Sequence, residues 1–268
     1  MRIPLELQQV MQSPTQARPR TLSALRKLLT MAEHEHIYLD IAGNLVWRGD
    51  RAPDWYDRLP ERSRWQVQAT FWRAVAHAAA TSPAVLCYEL TSEPTVADAP
   101  GYYPGGFGGW TFVQVIAHPH GRNPRMLARS WTKQLAAAVH SQDNRPVTIG
   151  MLPSGEAGFS PASIGDLLDM LTLHEYPETG KASESIGIVR HYASFGKPVL
   201  LGETFALWSD LPTQRAFLLG ANRYLIGVFE FFDGRDPDHM KPATIPDAIY
   251  QASLRQFMTL RGTILKSP

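Results

Sequence analysis

Cysteine is almost absent from this sequence. Cys87 stands alone, so an internal disulfide is excluded and no cysteine-based metal cluster can form. Its apolar neighbours mark it as a small buried residue. No apolar run reaches the ~18 residues of a membrane span. The start, Met1-Arg2-Ile3-Pro4-Leu5-Glu6-Leu7, lacks the apolar core of a secretory leader. As written, the chain reads as cytoplasmic and not membrane-bound, and as secreted only if its N-terminus is incomplete. A charge excess is missing as well. Twenty-six basic residues against 25 acidic ones leave a net charge of +1, no footprint for nucleic acid or an acidic membrane. A neutral ligand is favoured. No Gly-x-Gly-x-x-Gly follows an apolar run. Gly105-Gly106-Phe107-Gly108-Gly109 lies in an aromatic loop and opens no helix, so its phosphate reading is weak.

What the chain does have is alternation of short apolar runs with helix-period segments. Runs at 3–7, 37–41, 84–90, 146–151, 171–174, 198–202 and 226–231 predict strands. Segments 21–33, 62–80, 124–140, 161–169, 182–194, 213–223 and 246–260 predict helices, with Ser160 as a helix N-cap. Val67, Phe71, Val75 and Ala79 form one such helical stripe. Strands joined through crossover helices pair in parallel, and parallel strands, covered on both faces, read as unbroken apolar runs such as Val199-Leu200-Leu201. The 268 residues suit one α/β domain over 1–268, a TIM-type (β/α)8 barrel of about 250 residues. Seven strand–helix units are visible, so the expectation is that the chain begins at the barrel's second strand. The outer strands 3–7 and 226–231 then close on each other, take a partner, or are completed by a longer gene product. Residues 95–123 form the longest irregular stretch.

Barrel chemistry sits at the carboxyl ends of strands. The run 84–90 leads to Glu93, and the run 198–202 leads to Glu203. Two carboxyls so placed suit acetal cleavage, in which one protonates the leaving oxygen while the other attacks or activates water. A separation of about 5–5.5 Å predicts direct attack with retention, and about 6.5–9.5 Å predicts inversion. A lone Glu after a strand is more often a surface or helix-start charge. Two in specific local contexts shift that balance.

Those contexts resemble family 5 and related clan A glycoside hydrolases. Ser92-Glu93-Pro94 is similar to the family's Asn-Glu-Pro, which implies Glu93 as acid/base. Lys197-Pro198-Val199-Leu200-Leu201-Gly202-Glu203 resembles its seventh-strand motif, which implies Glu203 as nucleophile. His174-Glu175-Tyr176 is similar to its His-x-Tyr, whose members contact the nucleophile region and the sugar. Arg2-Ile3-Pro4 resembles the second-strand segment whose Arg supports the nucleophile. Four short motifs in order cover residues 1 to about 235. The sequence also departs from the family. Ser92 replaces the Asn that bonds the sugar 2-hydroxyl, Phe231 stands where a sugar-stacking Trp is expected, and Asp40 or Asn44 stands near the third-strand His position. The resemblance implies retaining hydrolysis of a β-linked glycoside, with Arg2, Asp40, Ser92, His174, Tyr176, Trp208 and Phe231 around the substrate. It implies a carbohydrate ligand and neither metal nor organic cofactor. Burial or the Glu203 charge should raise the proton affinity of Glu93, and Arg2 and Tyr176 should hold Glu203 ionised. The oligomeric state is left open. The rival reading is a barrel of low or no activity that binds carbohydrate or serves as a scaffold. A third is an open-sheet enzyme of another chemistry, with Glu93 and Glu203 far apart.

Seven tryptophans invite a sugar-stacking reading. Trp65, Trp72 and Trp131 fall in helices and read as core. Trp47, Trp55, Trp110 and Trp208 fall in loops, where sugar contact and packing weigh evenly. Tyr102, Tyr103 and Phe107 could wall a cleft. His34-Glu35-His36 and His118-Pro119-His120 lack a third ligand and read as surface histidines. Glu89 pairs with a base such as Arg2 or faces the helices. Glu175 points away if Tyr176 points in, and Glu230 reads as structural. Ser154 and Ser160 have no nucleophile-elbow context.

Overall fold

A computed structural model of the protein describes residues 1–44, 53–97, 114–153, 158–231 and 234–264. Trp47, Tyr102, Tyr103, Phe107, Trp110 and Ser154 lie outside the described residues. The chain divides into two compact units, residues 1–170 and 171–268.

In the first unit, β1 (Arg2–Glu6) leads through α1 (Leu7–Val10) and a small hairpin, β2 (Met11–Ser13) and β3 (Gln16–Ala17), into α2 (Pro19–His34). Next come β4 (Leu39–Asn44), α3 (Asp54–Asp57) and α4 (Glu61–Ala79). After β5 (Val85–Ser92) lie β6 (Pro94–Val96), β7 (Gln114–Ala117) and α5 (Pro124–His140). The unit closes with β8 (Val147–Met151), α6 (Pro161–Ile164) and a 3-10 turn at Gly165–Leu167. β1, β4, β5 and β8 pair in that order, all parallel, and each is reached from its predecessor by a helical crossover. That is the geometry such crossovers impose.

The second unit holds β9 (Leu171–His174), α7 (Ala182–Ala193), β10 (Val199–Thr204) and α8 (Leu211–Ala221) with a 3-10 turn at Asn222–Tyr224. It ends with β11 (Gly227–Glu230) and α9 (Ile245–Ile264). β10 pairs in parallel with β9 on one side and β11 on the other. Among the described residues, β1, β4, β5, β8, β9, β10 and β11 make seven parallel strands each followed by a helix, and the short parallel pair β6–β7 lies outside this repeat. This is the repeat of a (β/α) barrel lacking its first strand. No helix among the described residues is long and apolar enough to cross a membrane.

Helix α4 stacks large side chains under β4 and β5. Phe71 and Trp72 are wholly buried and meet edge to face, with centroids 5.2 Å apart. Trp72 Nε1–H donates to Leu90 O (3.3 Å), so a strand-end carbonyl of β5 satisfies the indole. Gly43 makes that contact possible, because a Cβ there would stand 2.7 Å from the Trp72 ring and 2.8 Å from Leu90 O. Trp131 of α5 donates to Gln68 Oε1 (2.6 Å), and Gln68 Nε2 donates to the Tyr56 hydroxyl (2.6 Å). This buried network ties α3, α4 and α5 together with its polar atoms paired.

Local deviations have local causes. The strand expected at 37–41 starts at Leu39, because His36 adopts a left-handed φ of 55° and Tyr38 is exposed. It runs on to Asn44 through small residues that carry no apolar signal. Ser160 occupies the N-cap position of α6, but its hydroxyl donates to Ser163 Oγ (3.0 Å), so the expected cap bond is not made. Asn123 on α5, Asp210 on α8 and Thr244 before α9 do accept such bonds from the third helical residue. The hairpin β2–β3, α1, α3 and the pair β6–β7 have two to four residues each, below the window in which periodicity is readable.

Candidate active site

In the first unit the chemistry gathers on β5 and its neighbours. Alternate residues of β5, Cys87, Glu89 and Thr91, are buried on one face, and Glu93 follows the strand's end. Glu93 N–H donates to Gly150 O on β8 (2.7 Å), and its φ is +50°. A left-handed conformation is uncommon for a side chain with a Cβ, and a following proline disfavours helical backbone still further. Strain of this kind persists where the surroundings over-determine it, often at functional positions. Burial pushes the Glu93 carboxyl up from the ordinary 4.5 to about 8. Arg2 opposes that shift, and the Glu89 charge adds to it.

Arg2 reaches across from β1. Its Nη2–H donates to Glu89 Oε1 (2.5 Å) and its Nε–H to Glu89 Oε2 (3.2 Å), a fork that meets both carboxylate oxygens. Nε also lies 4.0 Å from Asp40 Oδ2. Asp40 Oδ1 accepts from the Cys87 thiol (3.3 Å). Burial pushes the carboxyl of Asp40 up, against the pull of Arg2. Asp40 was expected at the substrate. It has no exposed surface and lies in this internal cluster. Ser92, half-buried, ends β5 opposite Gly150.

In the second unit Glu203 is the penultimate residue of β10 and pairs in register with His174 at the end of β9. The Tyr176 hydroxyl donates a short hydrogen bond to Glu203 Oε1, and His174 Nδ1 lies 3.9 Å from Oε2. The preceding Gly202 is required by space, since a Cβ there would strike the Thr172 side chain and crowd the His174 ring. Glu175 turns the other way, as strand alternation dictates. Its Oε1 accepts from Ser185 Oγ of α7 (2.6 Å), and burial pushes its carboxyl up.

Tyr176 leans edge-on against Phe205 (5.6 Å), Phe205 against Phe231 (5.5 Å, 34° between planes), and both against Tyr250 of α9. Phe205 and Tyr250 are buried, whereas Phe231 keeps 40% of its surface open. Trp208 is 49% exposed, and its carbonyl accepts from Thr179 N–H (3.1 Å). Glu230 turns to α9, where Ser253 Oγ–H donates to its Oε1 (2.5 Å), and burial pushes its carboxyl up to about 8. His34 pairs at the surface with its neighbour Glu35.

Sequence reasoning had not singled out Phe205 and Tyr250. Phe205 directly follows β10 and Tyr250 lies inside α9, and only tertiary packing carries them to Tyr176 and Phe231.

No family model matches this sequence, and no curated protein sequence matches it. Solved structures do match in fold. The fold is that of the family 5-like, clan A class of β/α-barrel glycoside hydrolases. One structural relative is a GH5_18 protein from Streptomyces cattleya in complex with Manβ1-4GlcNAc, with TM-score 0.71 and 16% identity over 100% of this chain and 72% of that one. Another is the exo-β-1,4-mannosidase Op5Man5 from Opitutaceae bacterium strain TAV5, with TM-score 0.70 and 14% identity over 99% of this chain and 53% of the other. A third is a family 5 xyloglucanase from Paenibacillus pabuli, with TM-score 0.64 and 13% identity over 96% and 85% of the two chains. This chain spans about half the length of the mannosidase.

Proposed function

We propose that the protein hydrolyses a β-linked glycoside by double displacement. Glu203 attacks the anomeric carbon, while Glu93 protonates the departing oxygen and then takes a proton from the incoming water. The observation that carries this reading is the state of Glu93. A buried carboxyl after a strand's carboxyl end, with its proton held up to about 8, is an acid still protonated at neutral pH, as a general acid must be. The hydrogen bond from Tyr176 supports the role of Glu203, because it orients the carboxylate that must attack.

Phe231 and Trp208 offer open aromatic faces on which a sugar ring can stack, and His174 and Ser92 supply polar groups to its hydroxyls. The names of the structural relatives make β-1,4-mannosides the first substrates to try.

The test is hydrolysis of aryl β-glycosides and of Manβ1-4GlcNAc by wild type, Glu93→Ala and Glu203→Ala, with the product anomer read by NMR. Wild type should turn over with retention, and each variant should lose about 10²-fold or more. Equal background rates in all three overturn the proposal. A second reading, carbohydrate binding without turnover, draws on Ser92, whose side chain is shorter than the Asn of the family motif. Calorimetric binding of the disaccharide with no hydrolysis would select it.

A further inference from the structure

Tyr176 and His174 approach the Glu203 carboxylate from the end of β9, one beside each oxygen. β9 ends at His174, so the backbone that carries Tyr176 lies beyond the strand. Glu175, between the two, is fastened twice. Its N–H donates to Glu203 O (3.1 Å), and its Oε1 accepts from Ser185 Oγ (2.6 Å). Ser185 stands on the face of α7 that also buries Val189 and Tyr192. Glu175 and Ser185 are 5% and 4% exposed, so the bond between them is made out of water. A buried carboxyl without that donor would be costly, and the serine therefore fixes where it sits. Residue 175 follows β9, ties to β10 through its backbone and ties to α7 through its side chain. Side chains alternate along extended backbone. Holding Glu175 toward α7 thus turns its two neighbours the other way, toward Glu203.

We propose that Glu175 is a positioning residue for Glu203: hooked to Ser185 on α7, it holds the stretch of chain from which Tyr176 and His174 meet the two carboxylate oxygens. This rests on Glu203 being the nucleophile. Attack demands one orientation of that carboxylate, and a misplacement of about 1 Å costs on the order of 100-fold in rate. Burial favours the protonated form of Glu175. A neutral amide of the same length, which keeps an oxygen for Ser185, can therefore stand in for it.

Glu175→Ala removes the hook. On an aryl β-glycoside it should lower kcat about 10-fold or more, with KM within about twofold of wild type. Glu175→Gln should recover most of that rate. In a Tyr176→Phe background Glu175→Ala should cost much less, because the bond it protects is already gone. A merely structural role would cost the same in both backgrounds and would lower the fraction folded rather than kcat. If Glu175→Ala does not fold, Ser185→Ala breaks the same bond from the other side and should give the same pattern. A second readout needs no turnover: the carbon-13 shift of Tyr176 Cζ, which reports the hydrogen bond of its hydroxyl and is assigned by its loss in Tyr176→Phe. It should move in Glu175→Ala and stay in place in Glu175→Gln. Equal costs in the two backgrounds, a Glu175→Gln as slow as Glu175→Ala, or a Tyr176 signal unmoved in Glu175→Ala overturn the proposal. A Tyr176 signal that responds as expected in a protein without turnover would sustain the positioning and overturn the catalytic reading of Glu203.

Discussion

Glu93 combines a left-handed backbone, a following Pro94 and a buried acidic side chain, each disfavoured by itself. The bond from its N–H to Gly150 O holds it there. Glu203 is held differently, through its side chain, by the hydroxyl of Tyr176. Hydrogen bonds to charged groups contribute about 1.5–3 kcal/mol, and each 1.36 kcal/mol off a barrier is tenfold in rate. Tyr176→Phe should therefore lower kcat on an aryl β-glycoside by about 10–100-fold while thermal unfolding hardly changes, since the ring still packs on Phe205. A kcat within twofold of wild type would remove Tyr176 from the mechanism.

At the scale of elements, β10 can lie against β9 because Gly202 has no side chain. The Thr172 methyl occupies the place of its Cβ, and the His174 ring stands close by. Gly202→Ala must push that threonine or the strand aside, and overpacking of this kind costs about 1–3 kcal/mol. The urea midpoint should fall accordingly, and Thr172→Ser/Gly202→Ala should recover part of the loss by removing the opposing methyl. A Gly202→Ala midpoint equal to wild type would mean that the strand spacing is looser than these contacts. Helices α5 and α8 are fastened by Asn123 and Asp210, whose side chains accept from Met126 N–H (3.3 Å) and Thr213 N–H (2.8 Å). The shorter contact and the charge make Asp210 the stronger cap.

For the molecule as a whole, buried carboxyls set the pH dependence of stability. Glu93 and Glu230 each rise from 4.5 to about 8 on folding. Between those values the folded chain holds protons that the unfolded chain has released, so stability falls as pH rises through the window. One group contributes at most about 1.4 kcal/mol per pH unit. Urea unfolding should therefore show a higher midpoint at pH 5.5 than at pH 8.5, with the slope reduced in Glu93→Gln. A midpoint that climbs with pH over this range would contradict the burial of both groups.

The sequence by itself determined the strand–helix repeat, because parallel strands covered on both faces need unbroken apolar runs, and crossover helices need a 3.6-residue period. Segments 124–140 and 171–174 were legible to the residue. The placement of Glu93, His174 and Glu203 at or near strand ends was legible too, since each stands where an apolar run stops or just beyond it. Tertiary structure alone decided the rest. That Arg2 clamps Glu89 over a buried Asp40, that Phe205 and Tyr250 back Tyr176 and Phe231, and that Glu175 and Glu230 turn toward helices all depend on strand register and side-chain direction. A shift of one residue reverses every side chain of a strand, and local composition holds no record of which neighbour then faces it.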